Sequence, residues 1–354
     1  MKFINAILLF PLSLLYGLIV SMRNKLFNWK ILTEKTFPVP IVSVGNLSMG
    51  GTGKTPQVEY LIRLLKEDKR VAVISRGYRR KTKGFREATP ESSYLEIGDE
   101  PMQYATKYPD IIVAVCKKRA KGISKLLAKQ EPPEVIIMDD AFQHRYVKPT
   151  LNILLTDYFN LYTDDFAFPS GTLREFRRGA KRADIVVVTK TNTVLPSIDR
   201  SIIKQKLHLQ QHQKLYYSYI NYLKPISLHD NQTILSERVT TVFMIAGIAN
   251  PYPFEKFLQD YCIDLRPFIF SDHHSFTEKE IRKIIAEFDC HLSKNKVIIT
   301  TEKDAQRLKV EPIYSLLKPL KIYYVPIQID FHTDTADNTA CPFDEIVKSS
   351  LFHL

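Results

Sequence analysis

Hydrophobic residues come in short, near-continuous runs through the first two thirds of the chain, at Ile41–Val44, Val71–Ser75, Ile111–Val115, Val135–Met138, Leu151–Leu155 and Ile185–Thr189. Runs this rich in β-branched residues, without polar alternation, predict strands buried on both faces of a mostly parallel sheet. Helical periodicity fills the intervals: between Thr55 and Lys66, the residues Val58, Leu61, Ile62 and Leu65 share one face. The expected core is therefore a three-layer α/β/α domain. Beyond about residue 215 the texture changes, with a tyrosine-rich run at Leu215–Ile220 and a polar stretch at Leu228–Arg238. A second series of strand candidates follows at Val242–Ala246, Val297–Thr301 and Ile322–Val325, separated by helical patterns at Pro253–Tyr261 and Thr277–Phe288. This predicts a second, smaller α/β unit, and an expected division into residues 1–30, 31–214 and 215–345. The sequence contains no internal repeat or low-complexity segment.

The first thirty residues follow a different pattern. Ile4 to Val20 is apolar except for Asn5, Ser13 and Tyr16, is interrupted by Pro11, and is followed by Arg23, Lys25 and Lys30. That is about the shortest length able to span a bilayer. The Leu18–Met22 stretch lacks a small-x-small cleavage site, so a retained membrane-associated helix is expected rather than a signal peptide. Crossing the membrane and lying in one leaflet both remain open, and the downstream basic residues favour a domain on the cytoplasmic side. A buried core helix is the structural alternative.

Between the first strand and the first helix of the core lies Val44-Gly-Asn-Leu-Ser48-Met49-Gly50-Gly51-Thr52-Gly53-Lys54-Thr55-Pro56. The Gly-Lys-Thr ending is that of a nucleotide phosphate loop: glycines let backbone N–H groups face the phosphates, Lys54 reaches the β and γ oxygens, and Thr55 can ligate Mg²⁺. Strand, loop and helix occur in the required order. The first glycine of the general pattern G-x-x-x-x-G-K-[ST] falls on Ser48, so Gly50 and Gly51 must supply the flexibility.

Other motifs sit at predicted strand ends. Glu134-Val-Ile-Ile-Met-Asp139-Asp140 has the form of a Walker B strand delivering a carboxylate beside the loop, where Asp139 could hold Mg²⁺. Gly98-Asp99-Glu100-Pro101 suits a helix start, and a carboxylate there could also serve as a base toward an attacking hydroxyl. The basic segment Ser75-Arg76-Gly-Tyr78-Arg79-Arg80 and the knot Gly171-Thr-Leu-Arg174-Glu175 read either as phosphate contacts or as solvated charge. Ser271-Asp272-His273-His274 follows Phe268-Ile-Phe270 and precedes a helix that Thr277 could cap, and Thr300-Thr301-Glu302-Lys303-Asp304 has an adequate explanation in capping.

Charge and cysteine content add exclusions. The formal charge of +12 implies an anionic partner without choosing among nucleic acid, phosphorylated small molecules and membrane. No aromatic-basic RNA motif, helix-turn-helix pattern or zinc spacing supports nucleic acid, and the apolar terminus speaks against it. Cys116, Cys262, Cys290 and Cys341 form no C-x-x-C pair, which fits a reducing compartment.

As an ordered set, the apolar terminus, G-N-L-S-M-G-G-T-G-K-T-P, S-R-G-Y, G-D-E-P, D-D-A-F-Q-H, G-x-L-R-E, D-H-H and T-T-E-K-D resembles the tetraacyldisaccharide 4′-kinases of lipid A synthesis. The resemblance implies a P-loop NTPase-like fold and phosphoryl transfer from ATP, with Mg²⁺, to the 4′-hydroxyl of a tetraacylated glucosamine disaccharide 1-phosphate. The product would be lipid IV-A, formed at the cytoplasmic face of the inner membrane. By motif, it implies that Ser48, Gly50, Gly51, Thr52, Gly53, Lys54 and Thr55 hold the nucleotide, and that Thr55, Asp139, Asp140 and Glu175 surround the metal. Asp99 would be the base, paired with His273, and Arg76, Tyr78, Arg80 and Arg174 would meet the substrate. The choice of His273 over His274 follows the residue after Asp272. The rival reading is a partition-type ATPase or metal-insertion GTPase switch, whose partition variant carries a lysine where this chain has Met49.

Overall fold

The computed structural model describes residues 2–78, 80–89, 91–235, 237–272, 274–333 and 341–352, with backbone only for residues 2–8. The strands, in chain order, are β1 (Ile41–Asn46), β2 (Val71–Ser75), β3 (Arg86–Glu87), β4 (Ile112–Val115), β5 (Val135–Asp139), β6 (Leu151–Asp157), β7 (Ile185–Thr191), β8 (Lys214–Tyr222), β9 (Ile226–Ser227), β10 (Val239–Ala246), β11 (Cys262–Ile269), β12 (Lys296–Thr301), β13 (Ile322–Val325) and β14 (Ile327–Phe331). Nine of them form one sheet in the order β14-β8-β7-β6-β1-β5-β2-β4-β3. Its interior is parallel, and only the edge strands β14 and β3 run antiparallel to their neighbours. β1 and β5 are buried at every position and β7 at all but one, as continuous apolar runs between two helical layers should be. The Lys54–Lys66 helix covers one face, burying Val58, Leu61, Ile62 and Leu65, and the Phe343–Phe352 helix joins it there.

The chain leaves β1 toward β2 on one side, whereas the connection from β5 to β6 passes to the other side of β1. Such a switch in winding direction opens a crevice at the carboxyl ends of the strands. The phosphate loop stands there.

The second sheet has the order β11-β10-β12-β13-β9, parallel except for the edge strand β9. Its two faces carry separate apolar clusters, one around Phe243, Ile281, Ile284 and Leu308, the other around Met244, Phe254 and Leu258. The expected break near residue 214 does not coincide with the change of sheet. β8 pairs with β7 and β14 pairs back onto β8, so the small sheet is an excursion between Ile226 and Val325. The tyrosine-rich texture of β8 has a local cause: its residues alternate between buried and half-exposed beside the sheet edge, and Tyr216 packs edge-on against Phe343.

The Lys2–Asn28 helix contains Pro11 and lies against the large unit. Ser13 Oγ hydrogen-bonds Ser170 Oγ at 2.8 Å, Tyr16 donates to the Arg174 carbonyl at 2.9 Å, and Asn24 donates to Glu175 at 2.8 Å. At Gly17 an added Cβ would stand 2.2 Å from the Phe176 ring, so glycine is what allows the close approach. The opposite side presents Phe10, Leu15, Leu18, Ile19 and Met22, each more than half exposed. Among the described residues, no helix is long and apolar enough to cross a membrane.

Candidate active site

The phosphate loop is shaped by two glycines with positive φ, Gly50 at 123° and Gly53 at 79°, conformations that a Cβ disfavours. Ser48 needs no such freedom. It forms an antiparallel bridge to Leu173, and Met49 N donates to the Thr172 carbonyl at 2.7 Å, so the backbone there is extended and the missing glycine is explained. The Gly171–Glu175 knot thus forms a wall of the loop. Thr189 Oγ1 donates to the Thr52 carbonyl at 2.9 Å, and Lys190 ties the Gly51 carbonyl to Asp157.

Lys54 begins the helix and its Nζ lies 3.6 Å from Asp140 Oδ1, which also accepts from Arg174 Nη1 at 2.8 Å. Asp140 adopts a left-handed φ of 46°, a turn that Asp tolerates better than most residues. Burial pushes its carboxyl up, but Lys54 and Arg174 outweigh it and hold the group below the usual carboxylate value. Asp139 differs in each respect. It is 0% exposed, neither carboxylate oxygen has a hydrogen-bond partner, and burial, followed by Glu100 and Asp140, raises it to about 7. Glu100 Oε1 accepts from the Thr55 hydroxyl at 3.3 Å, bringing a third acid to the loop.

These residues fit a hard divalent cation. A buried carboxylate without partners, a second carboxylate and a threonine hydroxyl are oxygen donors with an unmet need for positive charge. Among the described residues, no group of three His, Cys, Asp or Glu could hold a metal alone, as expected where phosphate oxygens and water complete the shell. Glu175 does not join this set. Its oxygens accept a bidentate pair from Arg182 at 2.7 and 2.9 Å, and further bonds from Asn24 and Gln143, making it a tie between the N-terminal helix and the loop wall.

The loop opens into a cleft of about 1630 Å³ lined by both units, with Arg76, Tyr78 and Arg174 on one side and Asn250, Asp272 and Lys303 on the other. Arg80 is absent from its lining. Its Nη2 donates to the Gly84 carbonyl at 2.6 Å, because the turn at Gly77 and Gly84 folds the basic segment back on itself. Tyr16, Val20 and Arg23 of the N-terminal helix also reach the cleft. His144 lines it with its Nε2 unpaired, and burial, then Arg119, Arg23 and Arg76, lower it to about 4, so it is neutral at physiological pH.

Asp99 opens the Asp99–Lys107 helix next to Glu100, and its Oδ2 accepts from Arg307 Nε at 3.0 Å and Nη2 at 2.6 Å. Arg307 escaped the sequence reading, which stopped at Asp304; no local spacing marks a residue whose partner is 208 positions away. His273, expected to pair with Asp99, lies outside the described residues. Its neighbour His274 meets Glu280 at 3.1 Å and stacks on Phe270, an arrangement tied to the cap at Thr277.

Residues 5–341 match the sequence model of the family described as tetraacyldisaccharide-1-P 4′-kinase. A tetraacyldisaccharide 4′-kinase of Parabacteroides distasonis is 48% identical over 92% of this chain and 90% of its own length. One from Bacteroides thetaiotaomicron is 45% identical over 93% and 90%. A crystal structure of LpxK from Aquifex aeolicus, described as an "apo" form in complex with ATP, superposes with a TM-score of 0.73 at 27% identity, covering 98% of this chain and 99% of that one. The ordered motifs, the α/β fold built around a phosphate loop and these full-length likenesses agree, and the chain belongs to the tetraacyldisaccharide-1-P 4′-kinase family.

Proposed function

We propose that this protein transfers the γ-phosphoryl group of ATP to the 4′-hydroxyl of tetraacyldisaccharide 1-phosphate, giving lipid IV-A. The observation that carries the reading is the phosphate loop at a cleft that Glu100 also lines, where Glu100 touches Thr55 and follows Asp99 at the start of the same helix. A switch ATPase or GTPase needs no hydroxyl acceptor site. Family membership over residues 5–341 also favours the kinase.

ATP supplies the transferable group, and Mg²⁺ neutralises charge on its phosphates. Lys54 and Arg174, both held by Asp140, present positive charge where phosphate oxygens gather. Thr55, Asp139 and Glu100 would hold the cation. Asp99 accepts the proton of the 4′-hydroxyl as its oxygen attacks, while Arg76 and Tyr78 steady the glycolipid at the mouth. Since a loose phosphoryl-transfer transition state demands alignment above all, these roles need rigid placement more than covalent chemistry.

The N-terminal helix supports a reading of where the enzyme works. Its exposed row of Phe10, Leu15, Leu18 and Ile19 is an apolar patch with a lipid surface as the natural partner, and Arg23 at its far end faces the cleft. We infer peripheral attachment at the cytoplasmic face of the inner membrane, a reading that the patch and the lipid substrate support. The test is transfer of radiolabelled phosphate from ATP to the lipid disaccharide in detergent micelles. Label must enter the lipid, and hydrolysis indifferent to the acceptor would instead support the switch.

A further inference from the structure

Arg307 belongs to the small unit, on the Glu302–Leu308 helix, and its side chain is 2% exposed. One edge of its guanidinium is fixed within that unit: Nη1 donates to Asp304 Oδ1 at 2.7 Å and to the Gly247 carbonyl at 3.3 Å. Asp304, fully buried, is itself pinned by Gly247 N at 2.8 Å and by the Thr301 hydroxyl at 2.7 Å. β10, β12 and the start of the helix therefore converge on one carboxylate. The other edge of the guanidinium crosses to the large unit and grips a single oxygen, Asp99 Oδ2. Farther along the same two helices, Lys107 meets Glu302 at 2.8 Å and Glu59 at 2.7 Å. The helices thus pair head to tail at two points, of which only the Arg307 contact reaches the base.

We propose that Arg307 is a positioning residue for phosphoryl transfer: it orients the Asp99 carboxylate when the small unit is seated, so that this unit completes the site. The T-T-E-K-D segment acquires a role beyond capping, since Thr301 and Asp304 hold the arginine that holds the base. A planar guanidinium fork on a fixed anchor restricts a carboxylate more than a lysine ammonium can. The inference rests on the reading of Asp99 as the base.

The test compares Arg307→Gln, Arg307→Lys, Glu302→Gln and Asp99→Asn in the full-length enzyme, by lipid phosphorylation at limiting and saturating ATP. For Arg307→Gln, kcat falls on the order of 100-fold with KM for ATP unchanged. Arg307→Lys keeps the charge and recovers about tenfold of the loss. Glu302→Gln, which alters the seam away from Asp99, leaves kcat within about threefold of the parent. A parental kcat in Arg307→Gln, or an equal fall of kcat in Glu302→Gln, would overturn the proposal. Should Arg307→Gln not fold, by circular dichroism, Arg307→Lys decides alone: a kcat lowered about tenfold supports positioning, and a parental kcat refutes it. Parental turnover in Asp99→Asn would remove the base itself, a failure distinct from that of Arg307.

Discussion

Asp139 and Asp140 are adjacent, yet the fold gives them opposite electrostatics. Asp140 is held by two cations, whereas Asp139 has no hydrogen-bond partner and is raised from 3.8 to about 7 by burial and its acidic neighbours. Its folded value lies above its unfolded one, so between about pH 4 and pH 7 the folded chain binds more protons. The contribution of Asp139 to the stability of the ligand-free protein must fall as pH rises through that window. Asp139→Asn should melt higher than the parent at pH 8 and converge with it near pH 4, as scanning calorimetry can read, while losing phosphoryl transfer. The thermal gain from Mg²⁺ with ATP should correspondingly grow with pH in the parent. At Lys54, replacement by alanine should lower turnover by roughly 100-fold or more with an unchanged far-ultraviolet spectrum. The strand, loop and helix around Lys54 were legible because they are contiguous, so that sequence order is spatial order. Glu175 was not: that a conspicuous carboxylate serves Arg182, Asn24 and Gln143 is decided by contacts up to 151 residues away.

The N-terminal helix has two faces that a hydropathy run cannot separate. Ser13, Tyr16, Gly17 and Asn24 interrupt the apolar pattern only slightly, yet they mark the side that docks on the protein. The greasy residues between them face outward. Two variants should dissociate these functions. Gly17→Leu, set against the Phe176 ring, should loosen docking and expose the helix to proteolysis while vesicle binding persists. Leu15→Glu with Ile19→Glu, at positions 57% and 62% exposed, should abolish co-flotation with anionic vesicles and leave folding intact. Persistent flotation of the double variant would refute a membrane role for this face. The two-sheet architecture was likewise readable from the apolar runs, but β8 and β14 show the limit of that reading. Strands join a sheet by hydrogen bonding at long range, and composition near an edge resembles a new beginning.

At the scale of the molecule, the seam between units is polar, which suits parts that must both meet and separate. Beside the Arg307 contact stands Lys107, half-buried and paired with the nearly inaccessible Glu59 and Glu302. Lys107→Met would remove the cation between the two acids, leaving Glu59 its bond from Gln103 at 2.7 Å, at a cost of about 3–5 kcal/mol. Denaturant unfolding should register that loss, and a midpoint equal to the parent's would show that the triad contributes nothing. Another consequence follows from the N-terminal helix bearing both the outward apolar row and cleft residues Tyr16, Val20 and Arg23. A catalyst seated by that row on a lipid surface, as proposed, would search for its acceptor in two dimensions. Its rate should then follow the mole fraction of glycolipid in the surface it occupies, and fall when inert detergent dilutes that surface at constant bulk concentration.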